Sequence, residues 1–137
     1  MRFAVLSLLL AGLASAFAID AYARLNANAG SKLPLAHMVF FTLKDHSKES
    51  REKFVAGCEK YLKEIPGSIH FSLGEQAQDV EEPVVSVRDF DVALHVIFEN
   101  KEARDVYLVH PQHKAFVAEF RPIFEKVRVF DSYIVKK

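Results

Sequence analysis

Two stretches of this sequence alternate as β-strands do, yet both of their alternating sets are apolar. In HMVFFTL (37–43) one set is His37, Val39, Phe41 and Leu43, and the other is Met38, Phe40 and Thr42. The stretch DVALHVIF (91–98) is likewise apolar on both sides apart from His95. A strand with one face in water would alternate apolar and polar residues. These two strands therefore require a sheet that is covered on both faces.

The rest of the chain supplies helices between the strands. An apolar stripe at helical spacing follows the first strand, and IPG (65–67) ends that helix. SIHFSLG (68–74) predicts the second strand, with Ile69, Phe71 and Leu73 on one face. Asn100 and Pro111 begin two successive helices, the second of which is expected to bury Ala115 and Phe116, and VRVFDSYIV (127–135) closes the chain as a strand. This order predicts an α+β fold of the ferredoxin-like type, a four-stranded antiparallel sheet with helices on one face.

Helices on one face leave the opposite face of the sheet uncovered. The apolar side chains predicted on that face are Met38, Phe40, Ala93, Ile97, Phe130 and Ile134. At about 1.5–3 kcal/mol each, their exposure costs roughly 10–15 kcal/mol, and monomers rarely expose so large an apolar patch. The sequence therefore predicts a homodimer in which two sheets face each other and form a dimeric α/β barrel.

The first 18 residues are predicted to be a signal peptide. Arg2 precedes an apolar run (3–18) that ends in an A-x-A-like cleavage site. The alternative is an uncleaved membrane anchor, although this run is shorter than the roughly 20 residues that span a bilayer. Residues 19–35 are then a flexible leader and residues 36–137 the folded domain. The domain is expected to be exported, to the periplasm or the extracellular space.

The charge balance, the single cysteine and the histidine spacing each limit what this chain is expected to bind. Eighteen basic residues balance eighteen acidic ones, so the sequence predicts no nucleic-acid partner. The lone cysteine, Cys58, lies on the apolar side of the first helix and is predicted to be a small buried side chain. No metal or other cofactor is predicted, because a proline separates His110 from His113 and no companion carboxylate motif accompanies them.

The break between the two short helices carries the candidate site, in YLVHPQHKAF (107–116). Pro111 suits the first turn of a helix, which places His110 at its cap and His113 in its first turn, while Tyr107 ends the preceding helix. The positive helix N-terminus favours a neutral imidazole that can accept a proton. A protonated tyrosine can donate a hydrogen bond to a carbonyl or enolate oxygen. The alternative is structural, since such side chains often satisfy free backbone groups at helix ends.

The first strand adds two candidate ligand-binding residues. His37 and Phe41 point to the same side of that strand, which is expected to be the side of the helices. We therefore predict His113 and Tyr107 as catalytic residues, and His37, His110 and Phe41 as ligand-binding residues.

The segments HMVFFTLK, EIPG, YLVHPQHKAFV and VFDSYI together resemble the stress-responsive A/B barrel (Dabb) family, over about 100 residues. The resemblance implies a dimeric α+β barrel with a ferredoxin-like protomer. By likeness to the plant polyketide cyclases of this family, it implies that Tyr107 orients a substrate, that His113 is the base and that His37 lines the pocket.

Three functions stay open at this point. The first is an exported dimer that binds a small apolar or aromatic ligand, with acid–base chemistry by His113 and Tyr107. The second is a cyclase-like or other dimeric-barrel enzyme. The third is a non-catalytic stress-response or assembly protein.

Overall fold

The computed structural model describes residues 32–80 and 82–135. The elements, in chain order, are β1 (Leu35–Leu43), α1 (Lys48–Leu62), β2 (Ser68–Glu75), β3 (Val92–Phe98), α2 (Lys101–Val109), α3 (Pro111–Phe120), a 3-10 turn (Arg121–Ile123) and β4 (Phe124–Tyr133). The strands form one sheet in the order β2-β3-β1-β4, with every neighbouring pair antiparallel. This is the predicted ferredoxin-like α+β arrangement, in which the two halves of the chain interleave their strands.

Local sequence signals set the ends of the helices. The hydroxyl of Ser47 accepts a hydrogen bond from the Ser50 N–H (3.2 Å) and caps α1. The Asn100 side chain does the same for α2 by accepting from the Ala103 N–H (2.9 Å). Gly67 follows α1 with φ of 92°, a backbone conformation that glycine adopts without steric cost.

The core lies between the helices and one face of the sheet, which we call the inner face. Alternate residues of β1 and β3 supply its sheet side: Val39, Phe41, Leu43, Val92, Leu94, Val96 and Phe98. The helices supply Phe54, Cys58, Leu62, Phe116 and Phe120. Cys58 is fully buried, as predicted.

Helices α1 and α3 pack closely together at Gly57. A β-carbon added to Gly57 would lie 2.1 Å from Cζ of Phe120. The Phe120 ring itself is held between the rings of Phe54 and Phe116, with centroids 5.5 and 5.2 Å away. The missing side chain at position 57 therefore allows the two helices to pack directly on one aromatic ring.

The opposite, outer face of the sheet carries the apolar residues that the sequence placed there. Met38 pairs with His95 and Phe130, so these side chains share the outer face, and Phe130 is 56% exposed. Phe90, from the segment before β3, packs against Phe40 with ring centroids 5.0 Å apart. The protein thus covers part of this face itself and leaves the rest open.

Three placements differ from the sequence expectation. Ile69 is 50% exposed, because the β2–β3 register shifts between Ser68 and His70 and turns Ile69 out of the inner set. Ala115 is exposed on α3, and Ile134 lies just beyond the end of β4. Also, β1 begins at Leu35, one residue inside the predicted leader.

The predicted signal peptide (1–18) and all of the leader before residue 32 lie outside the described residues. Among the residues that are described, no helix combines the length and the apolar character needed to cross a membrane.

Candidate functional site

The break between α2 and α3 is formed by His110 and Pro111. His110 has an extended backbone (φ −61°, ψ 140°), as expected for a residue before proline, and its N–H donates to the Tyr107 carbonyl (3.1 Å). Its ring Nδ1 accepts a hydrogen bond from the Gln112 N–H (3.3 Å), so the imidazole caps α3. The turn brings the rings of Tyr107 and His113 into contact, with centroids 4.8 Å apart and the ring planes tilted by 58°.

A cavity of about 550 Å³, which we call the site cavity, lies beneath this break. Its roof is formed by α2 and α3, and its floor by the inner face of β1 and β4. His37, Phe41, Tyr107 and His113 all line it, and Val127 and Val129 of β4 add apolar surface. The volume is in the range of small-molecule sites in proteins.

A charged network crosses the floor of the site cavity. Asp131 of β4 accepts hydrogen bonds through both oxygens, with Oδ1 2.6 Å from His37 Nδ1 and Oδ2 2.9 Å from Nη2 of Arg104. The side chain of His37 is 5% exposed and that of Asp131 is 34% exposed. A carboxylate that holds one ring nitrogen of a histidine fixes the orientation of that ring, so the other nitrogen can act on a ligand.

The environment favours the neutral forms of the two residues at the break. Burial lowers the pKa of His113, and the nearby His37 lowers it further, while hydrogen bonding with the Leu108 backbone acts in the opposite direction. Burial raises the pKa of Tyr107, which is 1% exposed. At neutral pH, His113 is therefore able to accept a proton and Tyr107 is able to donate a hydrogen bond.

The structure brings four of the five predicted site residues together. Tyr107, His113, His37 and Phe41 share the site cavity. His110 is not among the residues that line it in the described part of the chain, and its ring has the capping role that the structural alternative assigned. The predicted ligand-binding role of His110 therefore has no support from its position.

Sequence reasoning missed the charged residues of the cavity, Asp131, Arg104 and Arg121. Asp131 had a signal: it occupies the same alternating set of β4 as Val127 and Val129, so a carboxylate was placed on an otherwise apolar inner face. The two arginines had none, because arginine is common on exposed helix surfaces.

No group of three or more His, Cys, Asp or Glu side chains with metal-binding geometry occurs within residues 32–80 and 82–135.

The model of the Stress responsive A/B Barrel Domain family, Dabb, matches residues 35–134, which include every residue of the site cavity. The chain belongs to the Dabb family. No curated protein matches the sequence. Among solved structures, a Dabb family protein with a ferredoxin-like fold from Mesorhizobium loti is 29% identical, with a TM-score of 0.62; the match covers 76% of this chain and 99% of that one.

Two more distant structures share the fold of this Dabb chain. A hydroxynitrile lyase from Passiflora edulis is 22% identical, with a TM-score of 0.62 and coverage of 77% of this chain and 97% of the lyase. A dimeric ferredoxin-like protein of unknown function from Thermobifida fusca is 16% identical, with a TM-score of 0.61 and coverage of 74% and 92%.

Proposed function

We propose that this Dabb protein binds a small apolar or aromatic molecule in the site cavity. The observation that carries the proposal is the convergence of Tyr107, His113, His37 and Phe41 on one cavity of about 550 Å³. These residues come from β1, α2 and α3, so only the folded chain assembles them. Apolar walls with a few convergent polar groups are typical of small-molecule sites.

The chemistry available in this cavity is acid–base chemistry. His113 is the base, because burial keeps its imidazole neutral, and Tyr107 is the hydrogen-bond donor to a carbonyl or enolate oxygen. His37, held by Asp131 at 2.6 Å, is a second polar group that faces the same ligand. The enzyme alternative, a cyclase-like or lyase-like reaction, is favoured by this pair of histidines flanking one tyrosine, with ring centroids 4.8 and 6.2 Å from it.

We also propose that the protein is an exported homodimer, with the two outer sheet faces in contact. The half-exposed Phe130 and the other apolar residues of the outer face support this assembly. So does the fold shared with a protein that is itself dimeric. Export rests on the apolar run at residues 3–18.

Mass spectrometry of small molecules that co-purify with the natively folded protein tests ligand binding. We expect Tyr107→Phe and His113→Ala to lose the co-purifying molecule while they retain the wild-type melting temperature to within a few degrees. His110→Asn is the matched control: Asn also caps helices well, and position 110 is outside the cavity, so ligand retention is expected to be unchanged.

The same variants separate the structural alternative. Tyr107 is almost fully buried and packs against Phe98 with ring centroids 4.9 Å apart, as a purely structural residue would. A large fall in melting temperature in both site variants, with no bound molecule in the wild type, would assign the motif to stability and reject ligand binding.

Export has its own test. The mature N-terminus of the protein from native cells is expected to be Ile19, after cleavage behind Ala18. An intact Met1 would contradict cleavage.

A further inference from the structure

A second hollow lies along the outside of α3, next to the site cavity. This hollow, which we call the α3 groove, has a volume of about 680 Å³. It shares Leu108, His113, Val117 and Arg121 with the site cavity and adds Lys114. The α3 groove therefore adjoins the site cavity at these shared residues, which we call the passage, and we call the α3 groove the mouth.

Two α3 residues of this passage and Arg121, which directly follows α3, lie on one side of the helix. His113, Val117 and Arg121 follow each other at four-residue spacing, and Arg121 still has helical dihedral angles (φ −50°, ψ −38°). Eight residues of helix span about 12 Å. The apolar side chain of Val117 thus lies between the imidazole of His113 and the guanidinium of Arg121.

The two hollows together carry a positive charge. Arg104, Lys114 and Arg121 line the two hollows, against a single carboxylate, Asp131. Arg104 and Asp131 already pair with each other at 2.9 Å. Across residues 32–80 and 82–135, no salt bridge involves Lys114 or Arg121. The mouth therefore holds two cations without a carboxylate partner from those residues.

From this arrangement we infer that the ligand is an organic acid, with its carboxylate on Arg121 at the mouth and its apolar or aromatic body in the site cavity. The inference rests on the proposed ligand-binding function and adds its charge. A planar guanidinium matches a carboxylate with two parallel hydrogen bonds, and Lys114 adds a second positive charge. The opposite orientation would place the carboxylate beside Asp131, where like charges repel.

Two probes of nearly the same shape test this assignment. 1-Naphthylacetate carries the negative charge and 1-naphthylacetamide does not. The protein contains no Trp, so naphthalene fluorescence reports binding with little background. We expect the acid to bind about tenfold more tightly than the amide to the full-length wild type, as one charge-assisted contact provides. Raising the salt concentration from 50 to 500 mM should weaken the acid and leave the amide unchanged.

Arg121→Gln is expected to reduce the preference for the acid to less than about threefold, with the affinity for the amide unchanged. The unchanged amide affinity also shows that the variant is folded. Lys48→Gln removes an equally positive side chain on α1, 79% exposed, and is expected to keep the full preference. Equal binding of both probes to the wild type, or a full preference in Arg121→Gln, would overturn the assignment and leave the cavity standing. Failure of both probes to bind would count against the proposed ligand-binding function of the site cavity.

Discussion

Substituting Gly57 by alanine gives a test of the packing that positions α3, and with it His113. The added methyl would lie 2.1 and 2.4 Å from Cζ and Cε2 of Phe120, whereas ordinary contacts begin near 3.4 Å. The ring must therefore move by more than about 1 Å. It is confined by Phe54 and Phe116, so the movement spreads through the core.

Two effects of opposite sign act on the free energy of unfolding. Alanine in place of glycine inside a helix stabilises by about 1 kcal/mol, whereas overpacking a core costs about 1–3 kcal/mol. With an approach as short as 2.1 Å the upper part of that range applies. We therefore expect Gly57→Ala to lower the free energy of unfolding by about 1–2 kcal/mol.

Phe120→Leu provides the matched background, because leucine lacks the Cε and Cζ atoms that the new methyl would meet. In that background, Gly57→Ala should raise the free energy of unfolding by about 1 kcal/mol. The wild type, the two single variants and the double variant are unfolded in urea at the same protein concentration and followed by far-ultraviolet circular dichroism. The difference between the two effects of Gly57→Ala is the coupling energy between positions 57 and 120. If Gly57→Ala stabilises both backgrounds equally, the close approach of α1 and α3 is wrong.

Three further changes have expected outcomes. Phe130→Glu should yield a monomer in analytical ultracentrifugation at micromolar concentration, whereas Val84→Glu, at a 96% exposed loop position, should remain dimeric; a monomeric wild type would contradict the outer-face interface. Burial raises the pKa of the Cys58 thiol to about 12, so iodoacetamide at pH 8 should modify it only after denaturation, and rapid labelling of the native protein would contradict its burial. The pKa of His113 is lowered in the folded state, so the unfolded chain binds more protons as the pH falls below about 6.5. The free energy of unfolding should therefore decrease from pH 7 to pH 5, and less so in His113→Gln; an identical pH profile of the two proteins would count against the burial of this ring.

Much of the fold could be predicted because strand and helix periods are local properties of the sequence. The alternation of β1 identified both faces of the sheet, and Asn100 and Pro111 fixed where two helices begin. The orientation of Ile69 could not be predicted in this way, because it depends on a register shift of β2 against β3. The pairing of two strands is not a local property of the sequence.

The candidate site was predictable only in part, for a similar reason. Tyr107 and His113 are six positions apart, and Pro111 between them predicted the turn that brings their rings together. The contact between His37 and Asp131 spans 94 positions and depends on the pairing of β1 with β4. His110 looked equivalent to His113 in sequence, but the backbone at the helix start uses its ring as a cap.

Strand β1 serves both faces of the sheet with consecutive residues. His37, Val39 and Phe41 line the site cavity, while Met38 and Phe40 lie on the outer face. Because the side-chain period of a strand is two, an insertion or deletion of a single residue here would exchange the two sets. Point substitutions in β1 can therefore change the ligand-binding face or the outer face separately. A change in the length of this strand would alter both faces at once.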